Sequence, residues 1–296
     1  SRGLGDVYKR QLQILAGPGS GKTRVLTSRV AHLVRDSAAP IAPERCVVVT
    51  FTNRAANEMR ARLETMIGAD RTRRLVLGTF HAVCVRFLRR WGTRLGLDPR
   101  FTIADTDDAR RLLRDVDRDA PVDATLAAIS RAKAHGWTPD ELRASAQHAP
   151  GSPAHTEHLA LCRTYAAYQQ QLRTSHALDF DDLLLLGVRL FREHPELTTH
   201  IDHVLVDEFQ DTNAVQYELL RRLSRHVSVV GDPDQSIYSW RHADVRHIER
   251  MHLDFPGLHR VLLEENYRST PQILEAALRV MQQDPHRLPK GLYTAL

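Results

Sequence analysis

Long apolar runs are missing from this 296-residue chain: none approaches 18 residues, so no membrane-spanning helix is expected. The N-terminus carries no charged segment followed by an apolar one, which argues against a secretory leader. Cysteine is scarce. Cys46, Cys84 and Cys162 stand far apart without metal-ligand spacing, a pattern suited to a reducing, cytoplasmic setting. Aromatic residues make up 6% of the chain, and there is no internal repeat or low-complexity tract. Hydrophobic content of 42% still supports real cores, and the length allows two domains or one large domain with an insertion.

The charge is net positive, +5, which leans toward a polyanionic partner. Between residues 54 and 100 there are eleven arginines against four acids. Solvated helix faces, or the arginine-rich composition that a GC-rich genome encodes, would give the same excess.

Short apolar runs at 12–15, 46–51, 75–79, 204–206, 227–230 and 261–263 read as buried strands. Helical patterns separate them, which predicts a parallel, doubly wound α/β sheet. From about Trp91 to His200 strand signals stop and helix signals take over. Thr138-Pro139-Asp140-Glu141 has the form of a helix start, with a cap, Pro next and Glu three residues after the cap. The expected division is a sheet domain from 1–90 and 200–262 with a helical insertion at 91–199.

The first strand feeds Ala16-Gly17-Pro18-Gly19-Ser20-Gly21-Lys22-Thr23. Three glycines let backbone amides turn inward around an anion, Lys22 can reach outer phosphates, and the Thr23 hydroxyl can ligate Mg2+. Residues 23–34 read as the following helix, whose N-terminus also favours phosphate. A strict phosphate loop begins with Gly, and Ala16 is a small-residue variant of it. Much later, Val204-Leu205-Val206 ends in Asp207 and Glu208. That position, at the carboxyl end of a parallel strand, suits Asp207 as a magnesium ligand and Glu208 as the base for an attacking water. Asn53 is a plausible cap for the helix carrying Met59 and Leu63.

Seven segments, in order, resemble the superfamily-1 DNA helicases of the UvrD/PcrA/Rep group. They are residues 16–23, 50–56 (TFTNRAA), 78–81 (GTFH), 178–183 (LDFDDL), 206–213 (VDEFQDTN), 231–241 (GDPDQSIYSWR) and 265–270 (ENYRST). The resemblance covers nearly everything beyond the first dozen residues. It implies a RecA-like phosphate-loop NTPase domain with an inserted all-helical subdomain, and the start of a second motor domain at 263–296. It implies ATP and Mg2+ as cofactors, single-stranded DNA as partner, and 3′ to 5′ movement in DNA repair or replication.

By the same resemblance Gln235 and Arg241 face the γ-phosphate, Tyr267 stacks on adenine, Arg268 acts as an arginine finger, and Arg24 joins the nucleotide site. Phe51, Thr52, Asn53, Thr79, His81, Tyr238 and Trp240 become DNA contacts. Read without the family, Phe51 is equally a core residue, His81 a structural one, and the two aromatics buried under a loop. The three acids at Asp179, Asp181 and Asp182 are expected only to cap a helix.

Departures from the family pattern also carry expectations. No glutamine stands far enough upstream to read adenine, since Gln11 and Gln13 lie too close to the loop. His242 replaces a glycine. Ser1 to Arg10 resembles neither the family nor an ordered element, and is expected to be foreign or misassembled sequence. The stop at Leu296 leads to the expectation that this chain turns ATP over slowly, while a longer protein is a DNA-stimulated translocase. Two alternatives remain: the motor part of a helicase–nuclease, and an ATP-gated DNA-binding module.

Overall fold

The apolar runs become strands. A computed structural model describes residues 11–146, 149, 151–223, 226–237, 243–283 and 291–296. Its strands are β1 (Leu12–Ala16), β2 (Cys46–Thr50), β3 (Val76–Thr79), β4 (Thr102–Ile103), β5 (Ala177–Leu178), β6 (His203–Val206), β7 (Val227–Gly231) and β8 (His259–Leu263). Six of them form one sheet in the order β3-β2-β6-β7-β1-β8, with every neighbouring pair parallel. Continuous Val and Leu runs suit this arrangement, because both faces of a parallel sheet are covered. β2, β6 and β7 are buried along their whole length, while β8, at the edge, stays partly open.

Among the described residues the α-helices are α1 (Lys22–Ala31), α2 (Asn53–Ile67), α3 (Ala69–Arg74), α4 (Phe80–Trp91), α5 (Thr106–Val116) and α6 (Val122–Ala134). They continue with α7 (Pro139–Ala144), α8 (Pro153–Thr174), α9 (Phe180–Glu193), α10 (Ala214–Leu223), α11 (Arg246–Asp254) and α12 (Pro271–Met281). None is long and apolar enough to cross a membrane. The helix expected at 23–34 is α1 followed by a π-helical turn, His32–Asp36.

The chain divides into two compact units. The first takes the described residues of Ser1–Val83, Pro195–Thr212 and Leu220–Leu296 and holds the six-stranded sheet. Its core joins Ile14, Val48, Leu205 and Val230 from the strands to Leu26, Val30, Met59 and Leu63 from α1 and α2. The described residues from 263 onward belong to this unit.

The second unit takes the described residues of Cys84–His194 and Asn213–Leu219. It is mostly helical, but not wholly so: β4 and β5 form a short parallel ribbon, with Thr102 opposite Ala177. That corrects the all-helical expectation, and two-residue strands leave no periodic signal to read. Its core gathers Leu113, Ile129, Leu142, Tyr165, Tyr168 and Leu172. Phe87 stacks on Trp91 at 5.3 Å between ring centroids and meets Phe191 edge-on.

Within this unit the Asp179-Asp182 segment caps α9, the two acids forming a reciprocal box around the helix start. It does more than cap. Lys133 is fully buried, and its ammonium lies 2.6 Å from Asp179 and 2.7 Å from Asp182. It also donates to Gln169 at 2.9 Å, while the Tyr165 and Tyr168 rings flank it. A cation so placed needs this full set of partners to repay its lost hydration. Thr138 and Glu141 form the capping box read from the sequence, at the start of α7. Thr52, not Asn53, caps α2: its hydroxyl accepts from the Ala55 amide, and Asn53 is the first helical residue.

Candidate nucleotide-binding site

Parallel strands in one sheet present their carboxyl ends on one edge, where open α/β sheets hold ligands. Here β1 ends in the glycine loop, β6 in Asp207, and β7, between them, in Asp232. Gly19 (φ 66°) and Gly21 (φ 83°) sit in left-handed backbone that L side chains rarely adopt. Gly21 caps α1, so the helix N-terminus opens onto the loop. The Ser20 hydroxyl donates to the Gly17 carbonyl at 2.7 Å and closes the turn.

Lys22 begins α1. Its ammonium is buried, has no hydrogen-bond acceptor among the described residues, and lies 3.4 Å from a Glu208 carboxylate oxygen. Thr23 donates to Asp207 at 3.4 Å, a long contact that leaves the hydroxyl oxygen available as a ligand. Asp207 is 3% exposed, and burial, reinforced by the neighbouring Glu208, pushes its carboxyl up to about 6. A bound divalent cation would reverse that bias.

Glu208 itself occupies left-handed backbone (φ 48°, ψ 45°), a strained conformation for a residue with a Cβ. Gln210, 2% exposed, holds it there: its amide nitrogen donates to Glu208 at 3.0 Å and to Asp211 at 3.4 Å. The Gln210 carbonyl oxygen accepts from the Asp232 amide at 3.0 Å. A Cβ on Gly231 would stand 2.7 Å from that oxygen, so glycine leaves the space the bridge needs. Asp232 in turn accepts a short hydrogen bond from Gln235. One chain of hydrogen bonds thus runs from Gln235 to Glu208. Burial, with Glu208 adding to it, also raises the Asp211 carboxyl to about 6.

The segment after β8 closes the loop's other side. The Gly17 amide donates to Leu263, and the Tyr267 amide to the Gly19 carbonyl. Tyr267 is 63% exposed and Arg268 is also exposed. Arg24 is exposed one turn into α1, while Ala16 is fully buried at the end of β1.

At the ends of β2 and β3 lie the residues expected to touch DNA. Thr52 and Asn53 are exposed, and Phe51 is half-buried with its ring edge-on to Phe80 at 5.9 Å. The Thr79 hydroxyl accepts from the Ala82 amide at the start of α4. His81 is half-buried, and burial lowers its pKa. Tyr238, Trp240, Arg241 and His242 lie outside the described residues, as does Ser1 to Arg10.

The structure therefore brings Lys22, Thr23, Asp207, Glu208 and Gln235 to one edge of the sheet, with Arg268 against the loop at Gly19. These residues fit a nucleotide triphosphate with magnesium. An ammonium lacking an acceptor matches phosphate oxygens, and one hydroxyl with one carboxylate leaves a magnesium ion free to keep water and phosphate ligands. Gln210 and Asp232 escaped sequence reasoning. Both lie inside quoted motifs, and only the packing of β6 against β7 shows that they meet.

The family model of the UvrD/REP helicase N-terminal domain matches residues 5–256. This chain belongs to that family. The match begins within the leader that the sequence reading sets apart. Among relatives, the chain is 42% identical over 297 residues to an ATP-dependent DNA helicase PcrA of Leuconostoc citreum, covering 96% of this chain and 38% of that protein. It is 40% identical over 298 residues to the PcrA helicases of Staphylococcus epidermidis and Staphylococcus aureus, covering 40% of each. The chain thus spans about two-fifths of the length of these relatives.

Proposed function

We propose that this chain forms the nucleotide-binding portion of an ATP-dependent motor that moves on single-stranded DNA, 3′ to 5′, in DNA repair or replication. The observation that carries the reading is the buried Lys22 ammonium without an acceptor, 3.4 Å from a carboxylate at the next strand end but one. In this reading residues 1–90 and 200–262 are the first motor domain, 91–199 its insertion, and 263–296 the start of the second motor domain.

The chemistry is phosphoryl transfer to water, in which positioning and charge stabilisation do most of the work. Residues 16–23 cradle the phosphates through backbone amides, and Lys22 neutralises charge on the outer two. Bound magnesium, held by Thr23 and Asp207, would offset further charge on the phosphate oxygens. Glu208 orients a water in line and accepts its proton. Gln235, Arg241 and Arg268 address the γ-phosphate, Tyr267 stacks on the base, and Arg24 lines the site.

On the DNA side Phe51, Thr52, Asn53, Thr79 and His81 grip the backbone and bases, joined by Tyr238 and Trp240. Base stacking on aromatic rings tolerates any sequence, which suits a motor that must pass over all of it. The exposed Thr52 and Asn53 and the half-open ring of Phe51 support this reading. ATP turnover measured with and without oligothymidylate tests it. Hydrolysis that rises with the oligonucleotide supports the motor, and hydrolysis indifferent to it overturns the DNA assignment.

A further inference from the structure

In the segment from Glu265 to Thr270, Asn266 alone is buried, at 2% exposure. Both ends of its side-chain amide are used. The nitrogen donates to the Pro18 carbonyl at 2.6 Å, and the oxygen accepts from the Arg268 amide at 2.8 Å and the Ser269 amide at 2.7 Å. These partners fix the orientation of the amide, since a flipped group would set oxygen against carbonyl and nitrogen against two N–H groups. The Asn266 backbone amide is held as well, donating to Tyr293 at 2.7 Å.

Its neighbours fasten the rest of the phosphate loop. The Gly17 amide donates to Leu263 at 3.2 Å, and the Tyr267 amide donates to the Gly19 carbonyl at 3.0 Å. Three successive loop residues are thus tied to one short segment, with Asn266 as the side-chain tie. The consequence falls on Arg268. A Cβ added to Gly19 would stand 2.6 Å from the Arg268 Cβ, so that residue is pressed against the loop. Yet its side chain is exposed and makes no ion pair among the described residues. A free guanidinium rooted on a phosphate-binding loop fits a phosphate oxygen at the outer end of the nucleotide.

We propose that Asn266 is a positioning residue that locks Arg268 to the phosphate loop and thereby sets the preference for a triphosphate over a diphosphate. The inference rests on the nucleotide-binding reading above. Through its oxygen Asn266 shapes the turn from which Arg268 projects, and through its nitrogen it fixes that turn to Pro18.

Calorimetric titration of the 296-residue chain with ATPγS and with ADP tests this. The variants are Asn266→Ala, Asn266→Asp, Arg268→Ala and the double Asn266→Ala/Arg268→Ala, each checked by thermal melting. Asn266→Ala is expected to weaken ATPγS about tenfold, the order of one lost hydrogen bond, and to leave ADP nearly unchanged. In the Arg268→Ala background it should add nothing, because its effect runs through that side chain. Asn266→Asp keeps the acceptor but sets a carboxylate oxygen against Pro18, and should follow Asn266→Ala. If the alanine variant does not fold, this isosteric one carries the test.

Equal loss for both nucleotides, additive effects with Arg268→Ala, or wild-type behaviour of Asn266→Asp would each overturn the proposal. Those outcomes leave nucleotide binding intact. A wild-type chain that binds no ATPγS, or whose binding survives Lys22→Ala, would sink the nucleotide reading itself and this inference with it.

Discussion

Replacing Gln210 separates what holds the site together from what it does. Gln210→Leu keeps most of the side-chain volume and removes three hydrogen bonds, to Glu208 at 3.0 Å, to Asp211 at 3.4 Å and from the Asp232 amide at 3.0 Å. Asp232 is fully buried, so its amide would be left without an acceptor in a dry setting, at a cost of about 1–3 kcal/mol. Glu208, held in strained left-handed backbone, would also lose its tie. Gln210→Glu makes a useful contrast. It retains an oxygen for the Asp232 amide but adds a carboxylate beside Glu208 and Asp211, so like charges replace two hydrogen bonds. Urea unfolding should show Gln210→Leu losing about 1–3 kcal/mol of stability. Single-turnover ATP hydrolysis should fall roughly tenfold to a hundredfold in both variants, for a barrier raised by about 1.4–2.7 kcal/mol. ATPγS affinity should stay near wild type, because the loop and Lys22 are untouched. A Gln210→Leu chain with wild-type stability and turnover would refute the bridge. Loss of nucleotide affinity in step with turnover would mean that Gln210 supports the loop rather than Glu208.

Lys133→Met should be strongly destabilising, by about 3–5 kcal/mol in urea unfolding, because Asp179 and Asp182 then face each other without their cation. A loss below about 1 kcal/mol would show that these acids take up protons or water at little cost. Asp181 gives a pH signature: burial, with Asp179 second, raises its carboxyl from 3.8 to about 6. The folded chain therefore keeps a proton that the unfolded chain releases. The resulting penalty is absent below 3.8, grows as pH rises toward 6, and is constant above, reaching at most about 3 kcal/mol. Asp181→Asn should flatten the fall in stability between pH 4 and 6, measured by thermal or urea unfolding at each pH, and an unchanged slope would contradict the assignment.

Much of the sheet was legible because buried parallel strands must be continuous apolar runs. CVVVT of β2 and VSVVG of β7 have few other uses, and turn residues mark their ends. The phosphate loop was legible for a similar reason: left-handed backbone at Gly19 and Gly21 restricts which residues can occupy the turn. The β4–β5 ribbon was not, since two residues show no period. Lys133 sits in an ordinary polar-looking helix end, AISRAKA, and only the packing of α6 against α9 reveals that its ammonium is buried. Gln210 and Asn266 illustrate the same limit inside the site. Each is a polar residue within a motif, and its partners come from 22 and 248 positions away in the chain. Spacing along the sequence cannot show such partners; the sheet order does. The choice between Thr52 and Asn53 as helix cap turned on one residue of register, which either side chain could have satisfied.

The central claim is that Lys22 is the buried cation of a nucleotide site coupled to single-stranded DNA. It is tested most directly by ATP turnover of the chain and of Lys22→Ala, each titrated with oligothymidylate while DNA binding is followed by fluorescence anisotropy. Slow turnover in the wild type that still rises with DNA, is abolished by Lys22→Ala, and leaves the anisotropy curve in place is the predicted result. Turnover that survives the substitution, or that ignores DNA in the wild type, would contradict the account.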